Sequence, residues 1–156
     1  MTYEEKHAIF HEAGHAVVAL HIGFLVEKID VFQGFFRTMC DLDATDRTDE
    51  ERYVFLAAGI SAETIGLGSY CATACQDDQN KISDRKGYSI DTYVPAATQI
   101  LESNKNCFEE LRRRIATQLI SKKMERSIAG GGNSFCILTH DAIQQIWDKW
   151  RPRNQN

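Results

Sequence analysis

A chain of 156 residues, 43% of them hydrophobic and 26% charged, is long enough to bury a real apolar core and too short for two sizeable domains. Its formal net charge of −4 gives no reason to expect nucleic-acid binding, and the basic run Arg112-Arg113-Arg114 with Lys122-Lys123 reads as a solvated helix face. No membrane span is expected, because the longest apolar stretch is interrupted by His21 and falls short of the roughly 20 residues a span needs. The acidic start lacks the basic region of a signal peptide. Five cysteines without a Cys-x-x-Cys pair fit a reducing, cytoplasmic setting.

The spacing predicts a first helix from an N-cap at Thr2, with Glu4 and Glu5 in its first turn, to a stop at Gly23. Lys28-Ile29-Asp30-Val31-Phe32 alternates as a half-buried strand does, Gln33-Gly34 punctuates it, and Phe35-Phe36-Arg37-Thr38-Met39-Cys40 returns as its partner. After an acidic loop, an apolar helix is expected over residues 49–66, closed by Gly66-Leu67-Gly68-Ser69. A polar segment beginning at Gln76 follows. Residues 90–128 read as two helices broken near Ser103-Asn104, with Pro95 in the first turn of the earlier one. Residues 130–134 form a glycine-rich loop, and Thr139 caps a last helix holding Ile143, Ile146, Trp147 and Trp150. The fold class that emerges is mostly α with a small β-ribbon, in one domain over residues 1–156.

His11-Glu12-Ala13-Gly14-His15 lies within the first helix. Two histidines four residues apart project from one helix face and can share a zinc ion at about 2.0–2.1 Å each. Glu12 lies further round, where it reaches a metal-activated water without being a ligand. That arrangement predicts Zn2+-dependent hydrolysis, with Glu12 as general base. The run Ala16-Val17-Val18-Ala19-Leu20 makes the helix a buried one, and Gly14 in its interior hints at close packing or a crowded site. His7, four residues before His11, reads as a capping or surface residue. Cys71 and Cys75 read as small half-buried thiols.

A catalytic zinc site holds three protein ligands and keeps a fourth position for water. The candidates for the third are Glu63, Asp77, Asp78, His21 and His140. Glu63 lies in an apolar helix, where a carboxylate needs a cation or a donor as partner. Spacing alone does not choose among them.

The stretch from Ile9 to Ala19 resembles the zinc-site helix of FtsH-type proteases, and other landmarks follow in the family's order. Glu27-Lys28-Ile29-Asp30-Val31 is similar to the strand after the motif helix. Leu56-Ala57-Ala58-Gly59-Ile60-Ser61-Ala62-Glu63 is similar to the family's Leu-x-Gly-Gly-Arg-x-Ala-Glu. Gln76-Asp77-Asp78-Gln79-Asn80-Lys81-Ile82 is similar to its Asn-Asp-Leu-x-x-Ala segment, whose aspartate ligates zinc. Placing that aspartate at Asp78 puts Ile82 at the family's small apolar position, whereas Asp77 would put Lys81 there.

The resemblance thus implies a metallopeptidase domain with His11, His15 and Asp78 as zinc ligands and Glu12 as catalytic base. Its substrate would be an unfolded or extended polypeptide, added as a strand to the edge of the ribbon over residues 29–39. Ala58-Gly59-Ile60 stands where the family has Gly-Gly-Arg. The family's AAA+ ATPase and membrane anchor are not among these residues, so a stand-alone domain is expected, served by a separate ATPase or adaptor if its substrates are folded. The family's hexamer is not carried over with them. The rival readings are a zinc-binding interaction or regulatory module that keeps the site without proteolysis, and a purely structural zinc site closed by four ligands, which His7 could join.

Overall fold

The computed structural model describes residues 1–42, 46–73, 75–83, 88–129 and 134–152. Helix α1 (Tyr3–Ile22) begins with a reciprocal capping box, in which the Glu5 amide donates to Thr2 and the Thr2 amide to Glu5, and it ends at Gly23 in the left-handed region. Strands β1 (Val26–Phe32) and β2 (Phe35–Cys40) form a hairpin. Its turn, Gln33-Gly34, has φ values of 52° and 89°, the two left-handed residues that a tight hairpin turn requires. Helix α2 (Asp49–Leu67) repeats the capping box with Thr48 and Glu51. Then come α3 (Gln76–Ser83), a single 3-10 turn at Ile90–Thr92, α4 (Val94–Ser103), α5 (Lys105–Ala129), β3 (Phe135–Thr139) and α6 (His140–Trp150).

The mostly helical class with a small sheet is what the sequence predicts, and the expected helices all appear. The sheet differs in one respect. It has three strands in the order β2-β1-β3, all antiparallel, rather than the two of a ribbon. Residues 135–138 are a short, continuous apolar run that does not stand out ahead of the Thr139 cap, and their pairing with β1 is a contact across more than a hundred residues. Thr139 precedes α6 as expected but makes no side-chain capping bond. Most of the expected glycine-rich loop, residues 130–133, lies outside the described residues.

The consequence of β3 is positional: β1 becomes the central strand and β2 keeps an outer edge. Asp30, buried on β1, is neutralised by its cross-strand partner Arg37, at 2.7 Å, and by Lys28, at 2.8 Å. Those pairs, with the desolvation cost that opposes them outweighed, hold its carboxyl below the usual range. Thr38 of β2 donates to the Glu12 backbone carbonyl at 3.0 Å, which ties the edge strand to the motif helix.

α1 runs through the centre of the core, with Ala13 and residues 16–19 fully enclosed. It packs on α2 through small residues. A Cβ at Gly14 would lie 2.4 Å from Ala62 Cβ and 2.7 Å from the Ala58 carbonyl oxygen, distances no real contact reaches. The two backbones therefore approach where only glycine fits. Among the described residues no helix is long and apolar enough to cross a membrane. Gly14→Ala should lower stability by roughly 1–3 kcal/mol in urea unfolding, overpacking outweighing the gain in helix propensity. A variant as stable as the parent would show that α1 and α2 separate without cost.

Candidate metal centre

His7, His11 and His15 recur every fourth residue and form one stripe on α1. All three are buried against α2. The His11 ring lies flat over Gly59, where a Cβ would meet ring atoms at 2.2–2.5 Å. α3 brings the third group. Cys75, Asp78 and Ile82 occupy one face of that segment and are buried, while Asp77 on the other side is exposed.

His11 Nε2, His15 Nε2 and Asp78 Oδ2 converge, at 2.9 Å between the nitrogens and 3.1 and 3.0 Å from them to the carboxylate oxygen. The opposite nitrogens explain why these faces point inward. His15 Nδ1 lies 2.9 Å from the Phe55 carbonyl, an acceptor only, so Nδ1 carries the proton and Nε2 of the neutral ring is a bare lone pair. His11 Nδ1 is likewise paired with Glu63 Oε1 at 2.8 Å. Two lone pairs and a carboxylate oxygen facing each other at about 3 Å repel unless a cation lies among them. The donor set, two imidazoles and one carboxylate on rigid helices, fits a zinc ion, and carboxyl and carbonyl partners behind each histidine are what metal-ligating histidines usually have.

The electrostatics point the same way. Burial opposes charge on His11, but hydrogen bonds to Asp78, Cys75 and Glu63 raise its pKa well above the ordinary histidine value. Burial likewise opposes charge on Asp78, yet the neighbouring His15 and His11 imidazoles, whenever a proton or another positive charge lies between them and the carboxylate, hold it well below the usual range. A site that retains a proton so firmly attracts positive charge.

Glu63 is fully enclosed and is not part of this trio. Oε2 accepts from His7 Nδ1 at 2.5 Å and from the Cys71 backbone amide at 2.7 Å, while Oε1 faces His11. The partner that its apolar helix demanded is thus a pair of histidines and an amide. His7 is not the surface residue its sequence position suggested: Glu63 draws it into the core, where its ring also packs on Tyr3. His21 lies at the far end of α1 beside Asn104 Nδ2, and His140 pairs with the Val26 carbonyl. Neither joins the trio. The signal that could have singled out Asp78 from the residues alone is the helical spacing of Cys75, Asp78 and Ile82.

Glu12, one position round the helix from His11, faces a different neighbourhood. It borders a cleft of about 580 Å3 together with His11, Ala8, Phe35, Phe36 and Asp77. Among the described residues its carboxylate has no hydrogen-bond partner, although the residue is only 5% exposed. The chain matches no protein-family model, and no curated protein matches it in sequence.

Glu63→Gln should weaken zinc binding about 10–100-fold in competition with a chromophoric chelator, because His11 loses the acceptor that fixes its tautomer. Unchanged affinity would remove Glu63 from that role. Zinc must also displace the proton that His11 holds. Since that pKa is raised, affinity should keep climbing with pH above 6.5, the ordinary histidine value, instead of levelling there. A plateau starting at 6.5 would mean that His11 does not hold the competing proton.

Proposed function

We propose that the chain is a zinc-dependent endopeptidase of the FtsH type, hydrolysing peptide bonds in unfolded or extended polypeptides. The observation that supports this most is the split along α1: His11 and His15 face Asp78 on one side, while Glu12 borders an open cleft on the next. His11, His15 and Asp78 would hold the ion. Bound zinc supplies a Lewis acid that acidifies water and polarises a carbonyl.

The protein's own residues do the rest. Glu12, unpartnered and close to the cleft, takes a proton from the attacking water and returns it to the leaving amine. Packing against α2 and α3 leaves His11, His15 and Asp78 buried, which strengthens charge interactions there. The polypeptide adds to the outer edge of β2, the strand that Thr38 fastens beside Glu12, and Phe35 and Phe36 give it an apolar wall. β2 and β3 are the two outer strands of the sheet, and β2 is the one beside Glu12 and the cleft. A cytoplasmic setting agrees with five cysteines that are all free. A separate ATPase or adaptor would deliver folded substrates.

Turnover of a peptide library by wild type and Glu12→Gln tests this, with zinc content measured on both. The variant should keep its zinc and lose roughly 100- to 10,000-fold in rate, the usual worth of a positioned general base. Equal rates, or no zinc-dependent turnover in wild type, would favour the non-catalytic zinc module instead.

A further inference from the structure

Behind the His11 ring, on the side away from Asp78, a second set of donors converges. His11 Nδ1, Glu63 Oε1 and Cys75 Sγ are buried and lie within 4.8 Å of one another. Nitrogen and oxygen are 2.8 Å apart, and the sulfur is 3.7 Å from the nitrogen and 3.5 Å from the oxygen. A tetrahedral ion with bonds of about 2.0–2.1 Å to N and O and about 2.3 Å to S needs separations near 3.3 Å for N···O and near 3.6 Å to sulfur. The sulfur distances already fit. The His11–Glu63 pair would have to open by about half an ångström.

The carboxylate is prepared for this. Its other oxygen is engaged by His7 and by the Cys71 amide, which leaves Oε1 aimed at His11 and Cys75. The set also differs chemically from the outer one, whose ligands are nitrogen and oxygen alone. A thiolate favours soft ions.

We propose that His11 Nδ1, Glu63 Oε1 and Cys75 Sγ form a second cation site, one that takes a thiophilic d10 ion such as Cd2+ or Zn2+. On loading, the Cys75 thiol releases its proton to solvent as the sulfur–metal bond forms. His11 gives up its Nδ1 proton as the nitrogen–metal bond forms, to Nε2 where that nitrogen is bare and to solvent where it is already protonated, and Asp78 Oδ2, 3.1 Å away, accepts the Nε2–H hydrogen bond. A neutral imidazole has one lone pair, so the inner and outer sites are alternatives that share one ring. The inner site requires neither Glu12 nor turnover and stands apart from the peptidase reading.

The test titrates Cd2+ alone into the metal-free full chain, following the ultraviolet thiolate-to-cadmium band and bound metal per chain. The band should saturate at about one ion per chain in wild type, persist in His15→Ala and vanish in Cys75→Ser. Cadmium-edge X-ray absorption on the one-equivalent wild-type complex gives a readout that needs no variant to fold, and one sulfur neighbour is expected. No band in wild type, a band undiminished in Cys75→Ser, or a shell of nitrogen and oxygen alone would each overturn the site. Zinc binding and Glu12-dependent turnover in Cys75→Ser report on the outer site separately.

Discussion

The fully enclosed carboxylate of Glu63 is the constraint on which the rest of the site depends. A buried charge costs several kcal/mol unless donors replace its water, so the surrounding chain must bring those donors to it. α1 supplies two imidazoles from successive turns, and the segment before α3 supplies an amide and a thiol. Three elements are thereby pinned to one group. The geometry of the outer trio is a result of that pinning: once His11 Nδ1 is committed to Glu63, Nε2 has one direction left, toward His15 and Asp78.

Close approach of α1 and α2 makes the pinning sterically feasible. α2 presents Ala58, Gly59, Ala62 and Gly66 to α1, and each meets something specific. Ala58 and Ala62 meet Gly14, Gly59 meets the His11 ring, and Gly66 meets the Phe10 ring, where a Cβ would fall 1.9 Å from a ring carbon. Small residues at helical spacing form a groove for the larger side chains of the facing helix. Of Ala58, Gly59 and Ile60, glycine stands at the one position where His11 leaves no room.

Much of this was legible from residues and some was not, for physical reasons. Caps, glycine stops and the hairpin turn are local, so Thr2, Gly23 and Gln33-Gly34 announced their elements. The histidine stripe is visible as a period, yet the burial of its first member is not, because His7 is drawn inward by a carboxylate 56 residues away. β3 is hidden for the same reason, since a five-residue strand is defined by its partner more than by its own pattern. Asp78 over Asp77 is a matter of helix phase, and the buried pair Cys75 and Ile82 records that phase in the sequence.

α1 separates two kinds of chemistry by angle alone. His7, His11 and His15 look toward α2 and α3, which set their tautomers and their charge. Glu12 is turned about a quarter of the way round the helix, beside the cleft that the β1–β2 hairpin helps to wall. Under the proposed metal reading, substitutions at Glu63, Gly59 and Asp78 would act on metal affinity and leave the cleft wall in place, whereas Asp77 of α3 belongs to that wall. Those in β2 act on what lies against Glu12 and leave the ligands in place. The exception is His11, which borders the cleft, belongs to the outer trio and offers its second nitrogen to Cys75 and Glu63. Any change in which nitrogen of that ring carries the proton is felt in all three places at once, so the two proposed cation sites and the cleft would be coupled through a single imidazole.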